Sequence, residues 1–196
     1  MNKEKGKNPI SERSKKWITN ALMELMKVKS YSEITIKEIS SKADLVRRTF
    51  YRNFSSKGDI LNYYGEQIAN EFKERLAKHE NLTIPDIVSE FFYMCNDHMD
   101  VFVKLKENKI LFFTINQYEI LYKFIIEKMR TEKDYQYPEE YIEYYAEYIS
   151  GGLWNIFCRW VGDGAKKTPE EMIRFVNDIV ERMKIQHSVV YTPPEK

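Results

Sequence analysis

Residues 34–61 read ITIKEISSKADLVRRTFYRNFSSKGDIL, and this stretch decides the fold of the first third of the chain. Thr35 and Glu38 have the spacing of a capping box, which predicts the start of a short helix. Asp44 then interrupts the pattern, and aspartate is one of the few residues other than glycine that tolerates a left-handed turn. The stretch therefore predicts a brief helix followed by a sharp reversal before Leu45.

A second short helix is predicted to run through about Asn53. After it, Ser55 or Ser56 can cap a long helix that has Asp59 in its first turn. In front of both, an apolar stripe from Ser11 to Met26 predicts a supporting helix. Two short helices joined by a tight turn and supported by a third form a helix-turn-helix, whose second helix enters the DNA major groove.

The third helix of this motif is predicted to present arginine and other polar side chains to solvent. Leu45, Phe50 and Phe54 would face the small core. Arginine can form two hydrogen bonds to guanine, and tyrosine, asparagine, threonine or lysine can contact phosphates. The candidate DNA-binding residues are Thr35, Val46, Arg47, Arg48, Tyr51, Arg52, Asn53 and Lys57.

Charge is divided unevenly along the chain although its net value is only +1. Residues 1–57 hold fourteen Lys and Arg against six acids, a net of +8, and the remainder carries −7. A basic N-terminal part on an acidic body is typical of a protein of which one part meets a polyanion. Hydrophobic residues at 43% with seven Gly and six Pro among 196 residues favour a folded, mostly helical protein.

The rest of the chain also has helical periodicity. Apolar stripes occur from Ile84 to Met99, across 110–129, from Pro138 to Gly162, and after a capping pattern at Thr168. We therefore predict about nine helices and four regions: a basic arm at 1–10, the helix-turn-helix domain at 11–65, a helical effector-binding and dimerisation domain at 66–190, and a tail at 191–196.

Several other classes of function are disfavoured by the sequence. Cys95 and His98 lie one helical turn apart, but no second pair of ligands with metal-site spacing follows, so we expect neither an enzyme nor a metal or cofactor. Cys95 and Cys158 are expected to be reduced thiols. The apolar runs are short for a membrane span, and the N-terminus lacks a signal-peptide core, so we expect a cytoplasmic protein with no membrane partner.

The residues of 34–61, together with the helix before them, resemble the TetR family of bacterial transcriptional regulators over about residues 11–65. The matching positions include Thr35, Ile39, Ala43, Phe54 and the run from Thr49 to Arg52. Three positions depart from the usual family pattern: Asp44 replaces a glycine, Val46 replaces a small polar residue, and Asn53 replaces a histidine. Valine cannot cap a helix, but it could contact a thymine methyl group.

A second resemblance covers YYAEYISGGLWNIFCRWVGDGAKKTPEEM, which is similar to the effector domain of a subset of these regulators from Gram-positive bacteria. It implies an all-α fold in which a long helix joins the DNA-binding domain to a bundle whose last two helices dimerise. The candidate dimer residues are Gly151, Gly152, Ile173, Val176 and Val180, and intramolecular packing is the alternative for them.

Taken as a resemblance, the family implies a homodimeric regulator, most often a repressor, that binds palindromic operator DNA. A small apolar or aromatic effector would release it. Aromatic side chains that could line the effector pocket, or else form the core, are Phe91, Phe92, Phe113, Tyr122, Trp154 and Phe157. The alternative is a regulator whose C-terminal domain binds a partner protein and no small ligand.

Overall fold

In the computed structural model every regular element of the described residues is a helix. The structure describes residues 9–80, 83–111, 122–123, 126–127, 130 and 138–190, with side chains up to 182 in the last range. Eight α-helices have both ends within these ranges: α1 (Pro9–Met26), α2 (Ile36–Lys42), α3 (Arg47–Asn53), α4 (Lys57–Leu76), α5 (Ile84–Asp97), α6 (Met99–Glu107), α7 (Glu139–Gly162) and α8 (Pro169–Val190). A short 3₁₀ helix, Tyr31–Glu33, precedes α2.

The helix starts agree with the capping signals in the sequence. Thr35 accepts a hydrogen bond from the Glu38 backbone N–H, and the Glu38 carboxylate accepts one from the Thr35 N–H. The same reciprocal pair joins Thr168 and Glu171 at the start of α8. At α4, Ser56 is the capping residue, since its hydroxyl oxygen accepts from the Asp59 N–H. Each pair satisfies backbone donors that the first helical turn leaves free.

The turn between α2 and α3 has the left-handed residue that the sequence predicts. Asp44 has a φ of 54°. The Leu45 N–H donates to the Ser40 carbonyl at 2.9 Å, and the Asp44 N–H donates to the Ser41 carbonyl at 3.2 Å. These two bonds form a Schellman motif, which ends α2 and reverses the chain direction.

The first helices surround a small apolar core. α1 packs against α2 and α3, and α2 packs against α3. Phe50 is fully buried and Phe54 is 5% exposed, as predicted, whereas Leu45 remains half-buried. The ring of Phe54 meets that of Tyr63 edge to face at 5.7 Å. This packing fixes one side of α3 and leaves its other side in solvent.

Residue contacts divide the chain into two compact units. The first unit contains the residues up to Asn70 and a second range that starts at Asp100 and is described as far as 111. The second unit contains residues 71–99 and the described residues after 121. The first unit is thus larger than the domain of residues 11–65 that the motif predicts. The domain limit at residue 65 stays a prediction; α4 itself continues through Leu76, as its long apolar stripe indicates.

In the second unit, α5 packs against α8 and is joined to α7 through aromatic side chains. Phe91 meets Phe157 at 5.8 Å and Phe92 meets Trp160 at 5.5 Å, both edge to face. α7 ends at Gly162, as predicted, and Gly164 follows with a φ of 75°. The predicted apolar segment at 110–129 lies mostly outside the described residues. No helix in the described part of the chain is both long and apolar enough to cross a bilayer.

The Asp44 turn leads to a prediction about stability. Replacing Asp44 with Gly should raise the free energy of unfolding by about 0.5–1 kcal/mol, because glycine adopts positive φ without a clash of its side chain. Asp44→Ala is the matched control, since it removes the same carboxylate and keeps the Cβ atom. Urea denaturation of both variants measures the difference. Equal stability of the Gly and Ala variants would show that backbone strain at Asp44 is negligible.

Candidate nucleic-acid interface

The outward side of α3 carries the arginines that the sequence selects. Arg47, Arg48, Tyr51 and Arg52 are all exposed, and fully buried Phe50 lies between them in sequence. Because residues four apart share a helix face, Arg48 lies beside Arg52, and Arg47 lies beside Tyr51. This seven-residue helix therefore presents three cations from one short surface.

Arg47 and Tyr51 also contact each other. The Arg47 guanidinium donates to the Tyr51 hydroxyl oxygen at 3.1 Å, and it lies 5.5 Å from the centroid of the tyrosine ring. A guanidinium held over an aromatic ring keeps further N–H groups for other acceptors. The pair therefore orders Arg47 and retains its capacity to donate hydrogen bonds.

Val46 caps α3 without a side-chain hydrogen bond, as expected for valine, and its side chain is 70% exposed. An apolar side chain this exposed at the start of a helix gains little from the fold itself. Thr35 is also exposed, at the capping position of α2, and its hydroxyl donates to Glu38 at 2.7 Å. Hydrogen bonds from Lys29 and Thr35 lower the pKa of Glu38 to about 2, so this carboxylate stays charged at neutral pH.

Asn53 occupies a different position from the arginines. Its side-chain oxygen accepts a hydrogen bond from the Ser11 hydroxyl at 2.7 Å, and its NH₂ group donates to the Thr49 carbonyl at 2.8 Å. The side chain is half-buried and joins the first turns of α1 to the end of α3. This arrangement orients α3, and sequence patterns did not indicate it because Ser11 is 42 residues away.

Lys57 is turned toward the protein backbone. Its ammonium donates to the Tyr31 carbonyl at 2.7 Å and to the Ile34 carbonyl at 2.6 Å, and it lies 4.6 Å from the centre of the Tyr31 ring. Partial burial lowers the pKa of Lys57, and the nearby charge of Lys29 adds to this effect. Two of its three N–H groups are thus used to hold the segment before α2.

α1 is tied to α4 by a polar network. The Tyr63 hydroxyl donates to Glu12 at 3.2 Å, and Lys15 pairs with the same carboxylate at 3.1 Å. Burial, followed by the charge of Glu12, raises the pKa of Tyr63 to about 12. The phenol therefore stays protonated and keeps donating over the whole physiological range.

The aromatic residues selected for a ligand pocket are found mainly in the core of the second unit. Phe91, Phe92 and Phe157 are each at most 4% exposed, and Trp154 and Tyr122 are half-buried. Trp154 stands 5.4 Å from Phe157, which extends the aromatic cluster along α7. Phe113 lies outside the described residues. Their use as a pocket stays a prediction.

Cys95 and His98 do not form a joint site. Cys95 is buried, and burial raises the pKa of its thiol well above the ordinary value. His98 is turned to Glu71 on α4, with Nε2 and the carboxylate oxygen 2.8 Å apart. Cys95 and Cys158 are not joined in a disulfide.

Comparisons with known proteins find two family matches in this chain. The family described as bacterial regulatory proteins, tetR family, matches residues 18–64, and the family described as transcriptional regulator C-terminal region matches residues 83–182. Among curated proteins, none matches this sequence.

Solved structures of similar fold include three regulators. The dihydroxyacetone kinase operon activator DhaS is 20% identical, with a TM-score of 0.66 over 88% of this chain and 97% of its own. NalD, the secondary repressor of the MexAB-OprM multidrug efflux pump in Pseudomonas aeruginosa, is 14% identical, with a TM-score of 0.65 over 89% and 97%. The fatty acid degradation regulator FadR from Bacillus halodurans is 13% identical, with a TM-score of 0.65 over 89% and 96%.

At these identities the likeness to solved structures concerns the fold, and the two family matches add the sequence signal. The match at 83–182 spans half of the chain, and the match at 18–64 contains α2, the turn at Asp44 and α3. The chain therefore belongs to the TetR family of bacterial transcriptional regulators: it is a DNA-binding regulator and not an enzyme.

Proposed function

We propose that this regulator is a cytoplasmic homodimeric repressor that binds a palindromic operator and is released by a small apolar or aromatic effector. The observation that carries the proposal is the exposed face of α3, with three arginines and a tyrosine set on the buried Phe50. A rigid, basic recognition helix satisfies the geometric requirement for reading base edges in the major groove.

Within this proposal the DNA-contacting residues have different roles. Arg48 and Arg52, with Arg47 held by Tyr51, would reach guanines and phosphates, and Val46 would contact a thymine methyl group. Thr35 would reach a phosphate from the start of α2 by exchanging its hydroxyl hydrogen bond to Glu38 for one to the phosphate. We assign Asn53 and Lys57 mainly to orienting α3 and the segment before α2, since their polar groups are bonded within the protein.

Dimer formation is supported by an exposed stripe along α7. Tyr141, Tyr144, Tyr148, Gly152 and Asn155 recur at helical spacing, and the three tyrosines are 44%, 70% and 58% exposed. Glycine in a helix interior costs up to about 1 kcal/mol relative to alanine. A Cβ atom added to Gly152 would meet nothing within 4 Å among the described residues, so packing in that part of the chain does not require glycine there. Close approach of a second subunit would require a glycine at this position.

On α8 the proposed interface shifts by one residue from the sequence-based assignment. Val176 is 2% exposed and packs inside its own chain, whereas its neighbour Phe175 is 54% exposed. Ile173 and Val180 are half-buried. The surface that we propose for the dimer therefore combines the tyrosine stripe of α7 with Phe175, and Val176 contributes to the core. A two-fold dimer would place two copies of α3 on paired half-sites.

The proposed effector site belongs to the second unit of the chain. The aromatic cluster of Phe91, Phe92 and Phe157 forms contacts typical of a core, and an effector site would lie next to it in the second unit. If an effector lowers the affinity of the protein for the operator, thermodynamic linkage requires that the operator lower the affinity for the effector by the same factor. Titrating a candidate compound with and without operator tests this directly; equal affinities would exclude release and favour control by a partner protein.

Selection of bound duplexes from a random DNA pool tests the proposed function. We expect a palindromic consensus and a steep dependence of affinity on salt, because a dimer would contact phosphates on both half-sites. On that duplex, Arg48→Ala should lose about 1–3 kcal/mol of binding free energy, and much less on a scrambled duplex. Affinity is measured by fluorescence anisotropy at several salt concentrations.

Lys78→Ala serves as the control for lost charge, since Lys78 is exposed at the end of α4 and outside the proposed contacts. Its binding should match that of the parent protein. A loss that is equal on selected and scrambled duplexes would assign Arg48 to phosphate contact only. Selection without any consensus would contradict sequence-specific operator binding.

Gly152→Leu tests the dimer surface. The monomer should keep its fold because nothing lies within 4 Å of the added side chain's first atom, whereas the dimer dissociation constant should rise at least about tenfold through loss of close helix contact. Sedimentation equilibrium measures dissociation, and far-UV circular dichroism checks the fold. Glu147→Leu, on an exposed flank of the same helix, is the matched control. Unchanged self-association of the Gly152 variant would remove this stripe from the interface.

A further inference from the structure

The segment that joins α1 to α2 is held by side chains from two other elements of the first unit. The Tyr31 N–H donates to the side-chain oxygen of Asn108 at 2.7 Å. The Tyr31 carbonyl accepts from Lys57 at 2.7 Å, and the same ammonium donates to the Ile34 carbonyl at 2.6 Å. The peptide groups on both sides of Tyr31 are therefore fixed, one from α4 and one from the end of α6.

Asn108 is itself held in a defined orientation. Its NH₂ group donates to the Lys104 carbonyl at 2.8 Å, which leaves the oxygen to face Tyr31. α6 ends in a Schellman motif: the Ile110 N–H donates to the Leu105 carbonyl at 2.9 Å, and Lys109 has a φ of 58°. Rotating the amide by half a turn would set its NH₂ against the Tyr31 N–H and lose both hydrogen bonds.

The segment held by Asn108 leads directly into the DNA-reading elements. Three residues after Tyr31, Ile34 is 2% exposed in the core, and Thr35 follows as the capping residue of α2. α2 in turn packs against α3. The start of α2 is thus tied to the side-chain amide of Asn108, which lies 77 residues after Tyr31. Through α2, the position of α3 depends on the same amide.

We propose that Asn108 is a positioning residue for DNA binding. Its side-chain oxygen holds the segment from Tyr31 to Thr35 in the arrangement that lets α2 and α3 reach the duplex together. Asn108 contacts no DNA. Without it, the segment has to be ordered during binding, and that conformational entropy is subtracted from the binding free energy. The inference rests on the DNA-binding function and is independent of any effector.

The test uses the full-length protein and a duplex selected from the random pool. Asn108→Ala should weaken binding about fivefold to tenfold, the worth of one hydrogen bond, without changing the salt slope because no phosphate contact is lost. Asn108→Asp keeps an acceptor for the Tyr31 N–H but loses the donor to the Lys104 carbonyl, so it should recover only part of the affinity. Asn96→Ala, the same change at an exposed position of α5, should bind as the parent does.

Amide hydrogen exchange at Tyr31 gives a readout that a general loss of stability does not reproduce. We expect faster exchange at Tyr31 in the Asn108→Ala protein and protection partly restored by Asn108→Asp, with core amides of α5 unchanged in both. Parent-like DNA affinity of Asn108→Ala, a reduced salt slope, or unchanged exchange at Tyr31 in Asn108→Ala would each overturn the inference. Selection of no consensus by the parent protein would instead contradict the proposed function itself, so the failure of the function and the failure of this inference are distinguishable.

Discussion

The arrangement of the DNA-reading helices depends on one residue in a left-handed conformation, Asp44. An L-residue in that conformation costs roughly 1 kcal/mol, and the turn recovers this through two hydrogen bonds to carbonyls at the end of α2. The turn also brings Phe50 into the core, where it is fully buried. Burial of a phenylalanine stabilises the fold by about 2–3 kcal/mol. The strained turn is retained because this free energy exceeds the cost of the left-handed residue.

The basic character of the N-terminal part is used in two ways. Some cations hold the fold: Lys57 binds two backbone carbonyls, Lys29 pairs with Glu38 at 2.8 Å, and Lys15 pairs with Glu12. The exposed arginines of α3 form the other group. Net charge alone therefore overstates how much of the surface can meet a polyanion, because some of the cations are bonded within the protein.

Local signals made much of this fold predictable. Capping boxes, the Asp44 turn and the end of α7 at Gly162 depend on residues at most a few positions apart, and each was found where the sequence indicated. Other partners are not local: Ser11 lies 42 residues from Asn53, and the two carbonyls that Lys57 binds lie 23 and 26 residues from it. A sequence pattern shows that such a side chain is polar, but only the tertiary fold decides which acceptor it meets.

The same distinction explains the assignments on α7 and α8. Periodicity correctly placed apolar residues on both helices, but Phe175 and Val176 are neighbours, and only packing against α5 shows which of them is buried. On α7 the face opposite the core carries tyrosines and a glycine where a solvated helix would carry charged residues.

Domain boundaries inferred from a motif need not coincide with the boundaries of physical contact. The helix-turn-helix signal ends near residue 65, yet residues 100–111 pack with the same unit, and Asn108 supplies one of its hydrogen bonds. A fragment cut at the end of the motif would keep every candidate DNA-contacting side chain and lose the amide that fixes the start of α2. By physical contact, the unit that contains α2 and α3 therefore also includes residues of α6 and Asn108 after it.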